Sequence, residues 1–350
     1  MTEIITLTAC LAPYLSSATL KQLRQLILAM ICISGRVTTL GLSRWSGSGG
    51  SCRSLQRWYQ TPIHWARLLW VVVQRHLLSG DGPYLLAGDD VVISKSGQHT
   101  HGVGRCYSSL AGRPIPSLSF LAVSLIDVER RRSYPLQVAQ HLPTSKAVVP
   151  AAPVEKRRPG RPNGSKNHAK AAPVLSAELT LLDQVLRAVT LRIAPLKVRH
   201  VVLDGAFGTA PVTFMVRRCD LHLISKLHHN AALYLPYAGP KPRRGPTPRY
   251  GAKLDYSAWP TETLRQATLE GHLRVETYQL TLLHKDFPDP LNVVIVVKTN
   301  LRSHRRGHVV LFSTDLTLSA NQIVDYYSLR FQIEMVCSQM TTFASSARAA

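Results

Sequence analysis

Two apolar runs, one broken by acid and one ending in it, constrain this chain more than any other feature. Tyr84 to Ile93 has the length and composition of a buried strand, yet Asp89-Asp90 interrupts it. Val198 to Leu203 is a β-branched apolar run that stops at Asp204-Gly205. Ionised carboxylates at the ends of buried strands are costly unless something compensates their charge. Around these runs the periodicity predicts a second strand at Leu118 to Ile126 and a third at Ser133 to Val138, with a turn from Val128 to Arg132 between them. A helical period follows over Ser176 to Leu191. A second helix is predicted from Thr209 to Arg218 and another strand from Leu221 to Leu227.

Three antiparallel strands, then a helix, then a parallel strand open an α/β fold of RNase H-like type with a mixed sheet. Its first and fourth strands are neighbours, which brings Asp89 and Asp204 together although more than a hundred residues separate them. Carboxylates pressed together repel each other, and divalent cations relieve that repulsion. Mg²⁺ prefers hard oxygen ligands. Two such ions about 4 Å apart activate a water or a 3′-hydroxyl and stabilise the leaving oxygen of a phosphodiester. The plainer alternative is that Asp204 caps the following helix or makes a turn with Gly205.

Charge narrows the partner. The 350 residues carry 42 Lys plus Arg against 20 Asp plus Glu, a net charge of +22. That excess spreads along the whole chain, which favours a polyanion such as nucleic acid over a membrane surface. Six cysteines occur without C-x-x-C spacing, as expected for reduced structural thiols and not for zinc. No secretory signal is visible, and the apolar run from Leu26 to Ser34 is too short to cross a bilayer. The expectation is a bacterial-type cytoplasmic protein, nucleoid-associated when bound to DNA.

Residues 1–80 are expected to form a helical N-terminal DNA-binding domain. Leu20, Leu23, Leu26, Ile27 and Met30 recur at helical spacing, and further helices are predicted at 54–59 and 65–76 around a Gly/Ser-rich stretch. The pattern fits a helix-turn-helix or a plain bundle, and seven Arg and one Lys against one acid favour DNA. Residues 81–227 form the first part of the core. They contain a basic Pro/Gly-rich linker at 153–170 with Arg157, Arg158, Arg161 and Lys166. Its Gly-Arg-Pro resembles an AT-hook lying in an A/T minor groove; a solvated basic linker is the alternative, and both imply phosphate contact. Residues 228–312 read as a β-rich insertion with strands at 274–282, 291–298 and 308–313. Tyr256 and Trp259 within it are candidates for base stacking or for core. His99 and His101 sit in a glycine-marked loop with no Cys or acid at metal-ligand spacing. Residues 313–350 hold the last helix, from an N-cap at Ser319 towards Met340. There Tyr327, Arg330 and Glu334 share one face at i, i+3, i+7.

Tyr327, Arg330 and Glu334, with Asp89-Asp90 and the Val201-to-Phe207 segment, resemble insertion-sequence transposases of the DDE superfamily. Those proteins carry a Tyr-x2-Arg-x3-Glu-x6-Lys signature on the last catalytic helix. The likeness covers most of residues 20–335. It implies that Asp89, Asp204 and Glu334 are the catalytic metal ligands, with Asp90 either a neighbour or the alternative first ligand. Tyr327 and Arg330 would hold DNA. Further implications are two Mg²⁺ ions, with Mn²⁺ able to substitute, a homodimer synapsing transposon ends, and cut-and-paste transposition. One departure stands out: Thr341 occupies the position of the signature lysine, and Met335 to Ala350 turns small and polar. This predicts a frame truncated or shifted just past Glu334, with weak or absent transposition. Two further readings follow: a catalytically inactive, truncated remnant that only binds DNA, and a general nuclease without strand transfer.

Overall fold

The computed structural model describes residues 2–34, 37–45, 51–78, 82–95, 100–108, 112–142, 173 and 175–333. The chain opens with short helices: α1 (Thr2–Thr8), α2 (Ser17–Cys32), α3 (Thr39–Trp45), α4 (Cys52–Tyr59) and α5 (Trp65–Val72). The Ser16 and Ser51 hydroxyls accept backbone N–H bonds at the starts of α2 and α4, satisfying donors that the first turn leaves open. Leu20, Leu23, Leu26 and Ala29 line the buried stripe of α2 and pack with Leu42, Leu55, Trp58 and Leu68. α5 joins this helical core to the sheet, because Leu68 points into it while Trp70 enters the main core.

Then the period changes to that of strands. β1 (Tyr84–Ser94), β2 (Gly104–Ser108), β3 (Arg113–Asp127) and β4 (Arg132–His141) form an antiparallel array with β3 between β1 and β4. The β3–β4 turn places Arg131 at φ 52°, and the Asp127 carboxylate accepts the Arg130 N–H at 2.9 Å. α6 (Ala177–Arg192), capped by Ser176, leads into β5 (His200–Leu203). β5 pairs parallel with β1, as the sequence predicts: Leu86 lies opposite Val201 and Gly88 opposite Leu203. α7 (Ala210–Arg217) returns the chain to β6 (His222–Leu227), parallel to β5.

Beyond β6 come β7 (Leu233–Pro236), β8 (Tyr250–Lys253), β9 (Leu264–Glu270), β10 (Leu273–His284), β11 (Leu291–Asn300) and β12 (Arg306–Ser313). β12 pairs antiparallel with β6, so these strands continue the sheet that carries β1 and β5. The described residues thus form one mixed twelve-stranded sheet running β2-β3-β1-β5-β6-β12-β11-β10-β7-β8, with β4 and β9 paired to β3 and β10. Strands β2, β7, β8 and β9 were not expected from the sequence. β9 explains why, since none of its residues is buried and it lacks apolar alternation.

α8 (Ala320–Leu329) follows, and Ser319 and Gln322 form a full capping box at its start. Arg330 is a turn residue that interrupts the predicted helix, and residues 331–333 resume helical form; the stretch of that helix from Glu334 towards Met340 lies outside the described residues. The tightening is visible in the hydrogen bonds. Arg330 N–H donates to the Tyr327 carbonyl (3.2 Å) and Ile333 N–H to the Arg330 carbonyl (2.9 Å), three residues back in each case.

The sheet has a core on each face. Leu86, Val201, Leu203 and Leu223 face α6 and α7, with Leu182, Leu186 and Met215 above them. Leu85, Ala87, Val91, Ile93, Val202 and Ile224 face the opposite way, under Ala320, Ile323, Leu329 and Ile333.

Candidate active site

Alternation along the strands decides which acids meet. Successive side chains on a strand point to opposite faces. Asp89 shares parity with Ala87 and Val91, and Asp204 shares parity with Val202, all on the α8 side. The β1–β5 register, continued one residue past Gly88 and Leu203, sets Asp89 beside Asp204. Asp90 points the other way, into a small cleft with His141 and Glu178 beneath α6. Burial first, then the charges of Glu178 and Asp89, push the Asp90 carboxyl up to about 6, and His141 opposes them.

One cation closes the acid pair. Arg330 Nη1 lies 3.2 Å from Asp89 Oδ2, and Arg330 Nη2 lies 3.7 Å from Asp204 Oδ1. The guanidinium side chain is 8% exposed, against 20% for Asp89 and 45% for Asp204. The pair is therefore more covered on the Asp89 side and open to solvent on the Asp204 side. The Tyr327 hydroxyl stands in the same group. Burial raises its pKa first, the Asp204 and Asp89 charges raise it further, and Arg330 partly offsets this through its charge and a hydrogen bond. The Arg330 guanidinium also lies over the Phe331 ring, 4.8 Å from its centroid.

Several contacts hold α8 so that Arg330 arrives there. Gln279 Oε1 accepts the Ala320 N–H (3.1 Å), while Gln279 and Asn292 each donate to the Leu318 carbonyl at 2.8 Å. These bonds tie the start of α8 to β10 and β11. Further along, Arg131 donates to Asp325 (2.6 Å) and to the Ser328 hydroxyl (3.1 Å). Behind the site, His200 and Asp315 pair at 2.9 Å. Burial holds the His200 pKa below its ordinary value, so at neutral pH the ring is neutral and donates Nε2–H to Asp315.

The Asp204 segment is seated on β6. The Ser225 hydroxyl donates to the Asp204 carbonyl at 2.9 Å. A Cβ on Gly208 would stand 2.4 Å from the Lys226 carbonyl oxygen, so only glycine permits this approach. Asp204 does not cap the following turn with its side chain. That leaves its carboxylate directed at the site.

The structure thus brings Asp89, Asp204, Tyr327 and Arg330 together. Glu334, Thr341, His99 and the linker residues Arg157, Arg158, Arg161 and Lys166 lie outside the described residues. Among the described residues no three His, Cys, Asp or Glu side chains converge as a metal cluster. The donor set suits a hard cation nonetheless: two carboxylates share a face and already draw one positive charge between them. Tyr256 and Trp259, considered for base stacking, are engaged within the fold. Tyr256 stacks on His308 at 5.0 Å and donates to the Ala231 carbonyl, and Trp259 stacks on Tyr278 at 5.6 Å. Lys226 is the site-facing residue that the sequence reading missed. A lysine inside the apolar run Leu221 to Leu227 was its signal.

No helix among the described residues is long and apolar enough to cross a membrane. A search of curated proteins finds no match. A family model described as DDE superfamily endonuclease matches residues 10–282, a span that includes Asp89 and Asp204 and ends before Arg330. The match covers most of the chain, which therefore belongs to the DDE superfamily of endonucleases, nuclease-type enzymes that act on DNA and generally depend on divalent metal ions.

Proposed function

We propose that this endonuclease is a DNA transposase with an RNase H-like core, which cuts at transposon ends and joins them to target DNA. The observation that carries the reading is the Asp89–Asp204 pair on one sheet face, with Arg330 drawn between them. Asp89, Asp204 and, from the sequence likeness, Glu334 would hold Mg²⁺, with Mn²⁺ as a substitute. When bound, the metal supplies activation of the attacking water or 3′-hydroxyl and charge stabilisation at the leaving oxygen. Arg330 neutralises the acids in the free protein and, from the sequence likeness, would shift towards a substrate phosphate once a metal takes over that role. Tyr327, held in its protonated form, donates a hydrogen bond to the same backbone. The open side at Asp204 admits the DNA, and the covered side at Asp89 excludes water from competing positions.

End recognition falls to other parts of the chain. The α3–α4 helices carry exposed Arg53 and Arg57 and serve as the DNA-reading pair. The basic linker at 153–170 adds minor-groove contacts. Two protomers assemble on paired ends.

The test is Mg²⁺-dependent cleavage of a labelled duplex bearing the terminal repeat that flanks the gene, with Glu334→Gln and Asp204→Ala as controls. Both substitutions should abolish cleavage and leave DNA binding largely intact. Cleavage that survives in Asp204→Ala would sink the site assignment. Cleavage indifferent to the end sequence would replace the transposase reading with a general nuclease. Binding without cleavage by the native chain would leave only a DNA-binding role.

A further inference from the structure

Lys226 lies on β6, directly across from Asp204. The β5–β6 register pairs Val202 with Ile224, and two residues further along it aligns Asp204 with Lys226. Parity puts both on the α8 face, because Ile224 belongs to the core beneath α8 while Leu223 and Leu227 belong to the other. β6 is an interior strand, flanked by β5 and β12. Its burial nevertheless breaks at Lys226, which is exposed between buried Ser225 and buried Leu227. Among the described residues, then, Ile224 is covered on the α8 face while Lys226, two residues further on, is exposed like the edge of Asp204.

A lysine at that point in an interior strand calls for a partner. Among the described residues Lys226 forms no ion pair within 4 Å, and the cation that Asp204 meets is Arg330. The lysine stem runs along the loop that carries Asp204: a Cβ on Gly205 would lie 3.5 Å from Lys226 Cβ and 3.7 Å from its Cδ. The Ser225 bond to the Asp204 carbonyl and the close approach at Gly208 fix that loop to the same two residues of β6. The stem is therefore held against the Asp204 loop on an interior strand, and its flexible end is within reach of the open side of the acid pair.

We propose that Lys226 contacts a DNA phosphate next to the one cleaved at Asp89 and Asp204, and so sets where along the backbone the cut falls. This rests on the nuclease site described above. Arg330, buried between the acids, neutralises carboxylate. Lys226, exposed beyond them, neutralises substrate, and its compact charge on a flexible stem suits a single phosphate oxygen.

The test uses fluorescein-labelled duplexes bearing the terminal repeat, each with one methylphosphonate at a scanned position around the cleavage point. Affinity is measured in EDTA for the native chain, Lys226→Gln and Lys226→Arg, and Mg²⁺ is then added to read cleavage position. The Gln variant should bind severalfold more weakly, with a salt dependence shallower by about one phosphate contact. One or two adjacent methylphosphonates should weaken the native chain and leave the Gln variant unaffected. The Arg variant should regain most of the affinity, and the Gln variant should lose precision of cutting. Equal and additive losses at every position in both proteins would overturn the contact. Coupling in EDTA without cleavage in Mg²⁺ would uphold the contact and remove the transposase reading. Absence of DNA binding by the native chain would remove both.

Discussion

Arg330→Met separates the stabilising role of the guanidinium from the catalytic role of the acids. Methionine fills a similar volume without charge, so the perturbation is the loss of one cation between two carboxylates. Removing one partner of a fully buried ion pair costs about 3–5 kcal/mol. The Arg330–Asp89 pair comes near that description on the arginine side, which is 8% exposed, and less so at Asp89, which is 20% exposed. Asp204 does not, because 45% of its side chain reaches solvent, where water screens the charge and an ion pair is worth little. The balance is a loss of about 2–3 kcal/mol, nearly all of it from Asp89. For a chain of 350 residues that lowers the melting temperature by roughly 3–4 °C. Asp89→Asn in the same chain removes the stranded charge, so the double variant should recover about 2 kcal/mol relative to the sum of the singles. Urea titration of the four proteins of this cycle, with tryptophan fluorescence as readout, measures it. Addition of Mg²⁺ to Arg330→Met should also raise its midpoint more than that of the native chain, because the metal then no longer competes with the guanidinium for the acids. A loss below about 0.5 kcal/mol, or strict additivity in the cycle, would refute the view that Arg330 is the counterion of Asp89.

Gly208→Ala forces a Cβ towards the Lys226 carbonyl. It should cost about 1–3 kcal/mol by thermal denaturation and reduce cleavage through displacement of the Asp204 loop. Asp315→Asn should show a pH-dependent loss. Burial raises the Asp315 carboxyl, but bonds from the Thr317 hydroxyl and N–H and from His200 outweigh it and bring the pKa from 3.8 down to about 2. A depressed carboxyl stabilises above its unfolded pKa and loses that contribution as pH falls through the folded one. The variant should therefore be about 2 kcal/mol less stable at pH 7, with the gap narrowing below pH 4 and closing near pH 2, as read by urea midpoints across pH. A constant gap over that range would show that Asp315 acts by packing alone.

The acids were legible because a charge inside an apolar run conflicts with burial. Asp89 and Asp204 announce themselves in Leu85-to-Ile93 and Val201-to-Asp204 without any knowledge of the fold. The parallel β1–β5 pairing followed from the order of strands and helix, since the β3–β4 turn and the α6 period were both strong. The choice between Asp89 and Asp90 was not legible, because it depends on which face each core occupies, and both faces of β1 are apolar up to Gly88. Arg330 was expected to reach for phosphate. Its pairing with Asp89 depends on the turn that tightens the helix after Leu329, and no glycine or proline marks that turn. Lys226 stood out locally as a lysine inside an apolar run, but its place beside Asp204 needed the β5–β6 register, which no local pattern encodes. Strand β9 was missed because its partner is β10 alone and its side chains stay outside the core.

Helix α8 and its flanks complete one face of the sheet with Leu318, Ala320, Ile323, Leu329 and Ile333, and the turn after α8 delivers Arg330. Both duties fall on residues synthesised after all twelve described strands. Until then Leu85, Ala87, Ile224, Val294 and Leu311 lack the cover that these residues give on that side, and Asp89 and Asp204 lack Arg330. An apolar face of that kind invites capture by chaperones or by other nascent chains. A chain interrupted before residue 318 would therefore be unable to cut and slow to persist. Synthesis itself acts as a proofreading step: only a molecule finished through α8 is both sheltered from degradation and armed against DNA.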